Sequence, residues 1–333
     1  MEGKFEKEIE LPGIGTITQF DGSPKNSVGF YSFTSFTEPA VIYQFDAGSN
    51  EVKLYFKPEL NFNPEDFVTK QVFYKSKDGA TIPMFIVYKK GMKLGGENPT
   101  MLYGYGGFNV SVLPSFDFEN ILWLENGGIY ASANIRGGGE YGENWHIMGT
   151  EFNKQNVFDD FIYAAKYLIN EQYTSPDYLA MQGASNGGLL VGVVINQEPG
   201  LFKVAMPAVG VMDMLRFHKF TIGWSWVADY GSSEDSVHFA NLYKYSPLHN
   251  INKKNDYPAV LVTTAVHDDR VVPAHSFKYI STLQDKYNGR NPVLIRIQTK
   301  AGHGSGKPVS IRIDEMTDIL SFSFYNMGIT PDL

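Results

Sequence analysis

The segment Gly183-Ala184-Ser185-Asn186-Gly187 constrains the fold more than any other part of the sequence. It matches the pattern G-x-S-x-G, with a strand-like run (YLAMQ) before it and a helix-like run (GGLLVGVVINQ) after it. A serine on such a sharp turn has unfavourable backbone angles, and the glycines let neighbouring chain approach closely. The pattern predicts that Ser185 stands above the edge of a sheet as a nucleophile. The alternative is a tight strand–helix turn with an incidental serine.

Strand-like and helix-like segments alternate around this turn, which indicates βαβ units and a mostly parallel sheet. The predicted strands are Thr100–Tyr103, Gly128–Asn134, Leu179–Gln182, Val204–Ala208, Ala259–Thr264 and Val293–Gln298. The predicted helices are Asn156–Glu171, Asn186–Gln197, Ala274–Lys286 and Lys307–Tyr325. Together with the turn, this order predicts an α/β-hydrolase fold, a doubly wound and mostly parallel sheet.

The N-terminal part of the chain has a different pattern. Short runs rich in Phe, Tyr, Val and Thr follow one another between Ser27 and Phe56, separated by turn residues. They predict a short antiparallel β segment resembling one propeller blade. We therefore expect a β-rich remnant and linker over residues 1–75 and an α/β-hydrolase domain over residues 76–333.

Composition excludes several classes of protein. The 333 residues carry a net charge of −8 and include no Lys/Arg block suited to a phosphate backbone, so nucleic acid is not an expected partner. The absence of cysteine excludes disulfides, thiol nucleophiles and zinc–thiolate sites. The N-terminal residues are charged, and the apolar stretch around Leu189–Ile195 is too short to cross a bilayer. These features predict a cytoplasmic protein that does not interact with a membrane.

A serine nucleophile needs a base to accept its proton and an acid to orient that base, in the chain order Ser, acid, His. Asp268 follows the predicted strand Ala259–Thr264, and its neighbour Asp269 is the alternative acid. His303 follows the last predicted strand in a glycine-rich loop. We expect Ser185, Asp268 and His303 to be the catalytic residues.

Two glycine-rich segments follow early strands. The first, Tyr103-Gly104-Tyr105-Gly106-Gly107-Phe108, lies where these hydrolases place an oxyanion-hole loop, so a backbone N–H or a Tyr hydroxyl from it could join the Asn186 N–H as a donor. The second, Gly137–Gly142, matches G-x-G-x-x-G. The segment after it does not read as an amphipathic helix opening at the glycines, so we interpret it as a structural loop and expect no cofactor.

A metal site is not expected either. The remaining histidines lack a helical H-x-x-x-H or HExxH pattern. His267, Asp268 and His275 are the one set of residues that could form a metal site. We instead expect these histidines to occupy ordinary polar positions.

Several long motifs, in order, resemble the prolyl oligopeptidase (prolyl endopeptidase) family. They are Tyr-Gly-Tyr-Gly-Gly-Phe, Asn-Ile-Arg-Gly-Gly-Gly-Glu-Tyr-Gly, Gly-Ala-Ser-Asn-Gly-Gly, His-Asp-Asp-Arg-Val-Val-Pro and Ala-Gly-His-Gly. The resemblance implies a serine peptidase that cleaves short peptides on the carboxyl side of proline. It places Ser185, Asp268 and His303 in the triad and Tyr105 with Asn186 in the oxyanion hole.

The resemblance also implies a substrate pocket. Trp226 matches the residue whose indole stacks on the substrate proline, and Arg270 matches the arginine that binds a neighbouring substrate carbonyl. The other implied pocket walls are Phe108, Val211, Ile222, Tyr230 and Val271. A flat apolar slot favours a rigid pyrrolidine ring over a charged or branched side chain.

The sequence departs from the family in two respects. Ala184 stands where the family commonly has Gly, and only about the last blade of a seven-bladed propeller is present. We expect a fragment, a truncated isoform or an engineered chain, acting as a monomer on short proline-containing peptides. Two alternatives stay open: another acyl hydrolase or esterase of the same fold, and a weakly active or inactive fragment that acts as a binding partner.

Overall fold

The computed structural model describes residues 4–5, 7–304 and 307–331. The chain divides into two compact units. One comprises Met1–Lys70 with Leu113–Leu122, and the other comprises Gln71–Val112 with Trp123–Leu333. The domain boundary expected after residue 75 stays a prediction.

The first unit contains a four-stranded antiparallel sheet in the order β1-β2-β3-β4. Its strands are β1 (Thr16–Gly22), β2 (Val28–Thr34), β3 (Val41–Asp46) and β4 (Glu51–Phe56). The antiparallel β segment predicted between Ser27 and Phe56 is confirmed. Strand β1 lies before this segment and was not predicted; six of its seven residues are exposed.

The second unit is built on an eight-stranded sheet in the order β12-β11-β10-β9-β7-β8-β6-β5. Its strands are β5 (Phe67–Lys75), β6 (Thr81–Lys89), β7 (Thr100–Gly104), β8 (Ile129–Ala133), β9 (Leu179–Ala184), β10 (Val204–Ala208), β11 (Ala259–Ala265) and β12 (Val293–Gln298). Neighbours from β12 to β8 run parallel, and β6 pairs antiparallel with β8. The α/β-hydrolase fold is therefore confirmed.

Eight α-helices accompany the strands within the residues that the structure describes. They are α1 (Phe118–Glu125), α2 (Glu143–Ile147), α3 (Gln155–Asn170), α4 (Asn186–Gln197), α5 (Val227–Tyr230), α6 (Ser236–Tyr245), α7 (Ala274–Lys286) and α8 (Val309–Met327). Helix α4 packs against β9 and β10, and α3 packs on α4. No helix in the described part of the chain is long and apolar enough to cross a membrane.

The core follows the predicted periodicity. Phe158, Phe161, Ala165 and Leu168 share the buried face of α3. Ten of the twelve residues of α4 are buried, from Asn186 to Ile195, because this helix lies centrally on the sheet. Each fully buried Val, Leu, Ile or Phe side chain contributes roughly 1.5–3 kcal/mol of hydrophobic stabilisation. The core thereby fixes the turn that precedes α4.

Candidate active site

Ser185 lies on the turn between β9 and α4. Its backbone angles are φ 59° and ψ −114°, a strained conformation for a residue with a side chain. A Cβ at Gly183 would lie 2.4 Å from the carbonyl oxygen of Gly187, so only glycine fits there. The Ser185 N–H donates to the carbonyl oxygen of Ala208 at 2.9 Å, which ties the turn to β10. The turn therefore has the geometry of a nucleophile elbow.

Asp268 lies just beyond the carboxyl end of β11 and is buried. Its Oδ1 accepts hydrogen bonds from the N–H groups of Arg270 (3.0 Å) and Val271 (2.9 Å). Its Oδ2 lies 2.7 Å from Nδ1 of His303. Asp269, by contrast, is exposed. The structure thus separates two adjacent aspartates that the sequence could not.

His303 follows β12 and keeps 13% of its side chain exposed. The preceding residue, Gly302, lies against the loop that carries Asp268, because a Cβ there would be 3.2 Å from the carbonyl oxygen of His267. Ser305 and Gly306, which belong to the same glycine-rich segment of the sequence, lie outside the described residues. An imidazole held through Nδ1 by a carboxylate presents Nε2 as the basic nitrogen.

Tyr105 lies in the loop after β7, and its side chain lines the same cavity as Ser185. Burial raises the pKa of Tyr105 to about 12, and the neighbouring Tyr103 and Asp229 add to the increase. The hydroxyl is consequently protonated at neutral pH and able to donate a hydrogen bond.

Asn186 is the first residue of α4 and has two functions in this geometry. Its backbone N–H belongs to the first turn, where helical N–H groups have no acceptor within the helix. Its side-chain Nδ2 donates to the carbonyl oxygen of Tyr105 at 2.5 Å, and its Oδ1 accepts from the Tyr230 hydroxyl at 2.8 Å. The Tyr105 side chain and Asn186 thus both adjoin Ser185.

A cavity of about 180 Å³ opens beside Ser185. It is lined by Tyr105, Phe108, Ser185, Val211, Trp226, Tyr230 and Arg270. The rings of Phe108 and Tyr230 meet edge to face with centroids 5.4 Å apart. The cavity is small and mostly aromatic and aliphatic, with one guanidinium at its wall.

Two of the residues expected in the pocket are not in the lining that the described residues define. Ile222 is 43% exposed and does not line the cavity. Val271 is buried but also does not line the cavity, and its backbone N–H donates to Asp268 Oδ1. The Thr221 hydroxyl donates to the Arg270 carbonyl oxygen at 2.7 Å, which links the segment before Trp226 to the loop of Asp268. The roles of Ile222 and Val271 as pocket walls stay predictions.

Sequence reasoning missed a buried charged group beneath the Tyr105 loop, formed by Lys154 and Asp229. The two side chains are 1% and 4% exposed, with Nζ 3.4 Å from Oδ2. Lys154 gives no sequence signal, because it lies 75 residues from its partner. Asp229 stands next to the predicted pocket residue Tyr230, which was the one available hint.

The glycine-rich segment Gly137–Gly142 packs against the Tyr105 loop. Cβ atoms at Gly137 and Gly139 would lie 2.6 Å and 2.5 Å from the carbonyl oxygens of Gly106 and Asn109. A five-residue helix, α2, does begin after Gly142, where we did not expect one from the sequence. Backbone atoms thus cover the faces of Gly137 and Gly139, and glycine at these two positions lets two segments of the chain pack closely.

The histidines weighed as metal ligands have other surroundings. Among the described residues, no group of three or more His, Asp or Glu side chains could hold a metal ion. His275 is buried on α7, and its Nδ1 accepts the N–H of Asp213 at 3.1 Å. Asp268 is turned instead toward His303.

The fold and this site define a class: an α/β-hydrolase fold with an elbow serine, a paired His and Asp, and donors beside the serine. Comparison with known sequences is more specific. Residues 114–330 match the sequence profile of the prolyl oligopeptidase family, and residues 1–58 match the profile of the prolyl oligopeptidase N-terminal beta-propeller domain. The chain belongs to the prolyl oligopeptidase family.

Curated relatives agree with this assignment. The chain is 52% identical to a prolyl endopeptidase of Elizabethkingia meningoseptica over 98% of its own length and 46% of the relative's. It is 48% identical to the prolyl endopeptidase of Dictyostelium discoideum over 96% of its length and 43% of the relative's. The chain thus spans about half the length of the curated relatives that it matches.

Solved structures of this family also resemble the chain over nearly its whole length. One comes from a study of two prolyl endopeptidases and of inter-domain dynamics in catalysis and specificity. It has a TM-score of 0.93 and 43% identity, covering 96% of this chain and 47% of that one. Another is prolyl oligopeptidase B from Galerina marginata bound to a 35mer hydrolysis and macrocyclization substrate. It has a TM-score of 0.92 and 38% identity, covering 97% of this chain and 46% of that one.

Proposed function

We propose that this chain is a serine peptidase that cleaves short peptides on the carboxyl side of proline through an acyl-enzyme. The observation that carries the proposal is the cavity beside Ser185, because Trp226 and Arg270 line it together with the candidate nucleophile. A nucleophile alone supports many acyl transfers. A small aromatic pocket next to it favours a flat, rigid side chain at the cleaved bond.

Acylation begins with attack of Ser185 Oγ on the carbonyl carbon of the substrate proline. Nε2 of His303 takes the Ser185 proton, while Asp268 accepts from Nδ1–H and stabilises the imidazolium. The tetrahedral intermediate carries a negative oxygen, which accepts hydrogen bonds from the Tyr105 hydroxyl and the Asn186 N–H. His303 then returns the proton to the leaving amine nitrogen, and the C–N bond breaks.

Deacylation repeats the sequence with water as nucleophile. His303 takes a proton from the water as its oxygen attacks the ester carbon, and the same two donors stabilise the second intermediate. The proton then passes from His303 to Ser185 Oγ as the ester bond breaks. The products are a peptide acid that ends in proline and the regenerated enzyme.

The pocket residues divide the recognition of the substrate between them. The Trp226 ring, half-buried in the cavity wall, stacks on the pyrrolidine, and Phe108, Val211 and Tyr230 complete the apolar surface. The Arg270 guanidinium donates to a substrate carbonyl next to the proline. Ile222 and Val271 extend these walls when a peptide is bound.

Two alternatives are less well supported. An esterase or another acyl hydrolase would not need Trp226 and Arg270 in the lining, and curated relatives at about half identity are prolyl endopeptidases. An inactive binding fragment would not need a paired His303 and Asp268. Action as a monomer in the cytoplasm, without nucleic acid or a membrane as partner, stays part of the prediction.

Covalent labelling tests the nucleophile directly. A diphenyl phosphonate analogue of proline should label the unaltered chain at Ser185, located by mass spectrometry of the digested protein. The Ser185→Ala variant should remain unlabelled, while a Ser225→Ala variant, which lacks a nearby serine that bonds to its own segment, should react like the unaltered chain. Labelling elsewhere, or none, would contradict the proposal.

A further inference from the structure

The carboxylate of Asp229 is buried beneath the loop that carries Tyr105. Its Oδ1 accepts the backbone N–H of Phe108 at 3.2 Å and lies 2.8 Å from Nε2 of His146. Its Oδ2 faces Lys154 Nζ at 3.4 Å. A carboxylate that is 4% exposed loses most of its hydration, so these partners must replace it.

Lys154 contacts the same loop from its other end. Its Nζ donates to the carbonyl oxygen of Gly106 at 3.1 Å and lies 5.1 Å from the centre of the Tyr230 ring. Burial lowers the pKa of Lys154, and the negative charge of Asp229 opposes that effect. The side chain does not line the cavity beside Ser185 and has no part in the proposed proton transfers.

The loop between these two contacts needs external support. Gly106 and Phe108 have φ values of 65° and 57°, and a residue with a side chain, such as Phe108, seldom adopts this region. Lys154 fixes the carbonyl oxygen of Gly106, and Asp229 fixes the N–H of Phe108. The residue immediately before this stretch is Tyr105, whose side chain lines the cavity together with Ser185.

We propose that Lys154 and Asp229 are positioning residues for catalysis, which hold the Gly106–Phe108 backbone so that the Tyr105 hydroxyl is aimed at the oxyanion. The inference rests on the proposed function. In it, Lys154 and Asp229 stabilise the transition state indirectly, by positioning the Tyr105 hydroxyl. The hydrogen bond from Tyr105 strengthens as negative charge develops, so a small displacement of the hydroxyl reduces the rate more than the binding of substrate. Lys154 is the better residue to test, because Asp229 lies three residues from Trp226.

A double-mutant cycle separates positioning from a general structural effect. The cycle combines Lys154→Met with Tyr105→Phe, and kcat and KM are measured on a fluorogenic blocked Gly-Pro substrate. Lys154→Met should lower kcat roughly 10- to 100-fold and change KM by less than about 3-fold. In the Tyr105→Phe background the same change should lower kcat by less than about 3-fold, because the hydroxyl that it positions is already gone.

Lys278→Met provides the matched control. It also removes a lysine that pairs with a buried aspartate, Asp213. If Lys278→Met lowers kcat by destabilising the fold, kcat should fall by the same factor in the unaltered chain and in the Tyr105→Phe variant. Lys154→Gln is the second variant if Lys154→Met does not fold, since an amide can still donate to the Gly106 carbonyl oxygen and should retain part of kcat.

Equal factors for Lys154→Met in the two backgrounds, or an effect confined to KM, would overturn the inference and leave the proposed function intact. If the unaltered chain does not hydrolyse the substrate, the same cycle is read from the rate of Ser185 labelling by the phosphonate. A labelling rate that falls with Lys154→Met only when Tyr105 is present supports the inference. Absence of both hydrolysis and labelling would overturn the proposed function together with it.

Discussion

Asp268 and His303 are joined by a hydrogen bond of 2.7 Å between Oδ2 and Nδ1, although they lie 35 residues apart along the chain. Both residues follow neighbouring parallel strands, β11 and β12, so the topology of the sheet brings their loops together. The second oxygen of Asp268 is occupied by the N–H groups of Arg270 and Val271. The carboxylate is thus fixed from its own loop and offers one oxygen to the imidazole.

Replacing this carboxylate should affect catalysis far more than replacing its neighbour. Asp268→Asn removes the charge that holds His303 in the correct tautomer, so we expect kcat/KM to fall by roughly 10³- to 10⁴-fold, the size of effect known for an Asp in a serine protease triad. Asp269→Asn is the matched control, because Asp269 is exposed, and it should change kcat/KM by less than about 3-fold. Comparable losses in the two variants would show that Asp268 is not the orienting acid.

Selectivity for proline should depend on one of two nearby tryptophans. Trp226 lines the cavity, whereas Trp224 is 69% exposed. Trp226→Ala removes the stacking surface, so kcat/KM for a Gly-Pro substrate should fall by roughly 10- to 200-fold, the range that a hydrophobic contact contributes to specificity. Trp224→Ala should leave the ratio of proline to alanine substrates unchanged. An equal loss of selectivity in both variants would place the proline ring elsewhere.

The stability of the fold should decrease as the pH falls through the range in which His275 titrates. Burial lowers the pKa of His275 from 6.5 to about 4, and its Nδ1 accepts a hydrogen bond from the Asp213 N–H, which only the neutral ring can do. The unfolded chain therefore binds a proton first as the pH falls. The stability is fully present above pH 6.5 and is lost toward pH 4.

Across that window His275 should remove roughly 3 kcal/mol from the free energy of unfolding. The measurement is urea denaturation at several pH values for the unaltered chain and for His275→Asn, whose amide oxygen can still accept the Asp213 N–H. The unaltered chain should lose about 1.4 kcal/mol more per pH unit than the variant. Parallel pH dependence for the two proteins would mean that His275 is not held neutral by burial.

Most of the α/β unit could be predicted because its segments have strong local patterns. Helices α4 and α7 were predicted with the bounds that the structure has, and α3 to within one residue at each end. Helix α6 was missed, since only Leu242 and Tyr245 of its ten residues are buried. A signal was available in Asp235, whose side chain accepts from the first N–H groups of that helix.

Only the site residues that belong to recognisable sequence motifs could be predicted. The turn around Ser185 is local, and the order of Ser185, Asp268 and His303 follows from strand order. Lys154 and Asp229 could not be found, because their pairing depends on how α3 and α5 approach the Tyr105 loop. The choice between Asp268 and Asp269 likewise required knowledge of which side chain the backbone buries.

The most direct test of the account is release of a fluorophore from a blocked Gly-Pro substrate, compared with a Gly-Ala analogue. The unaltered chain and Ser185→Ala are assayed side by side, with circular dichroism to show that both are folded. We predict hydrolysis that is faster after proline than after alanine by at least roughly 10-fold and that disappears in Ser185→Ala. Equal hydrolysis of the two substrates, or activity that survives in Ser185→Ala, would contradict the assignment of a proline-selective serine peptidase.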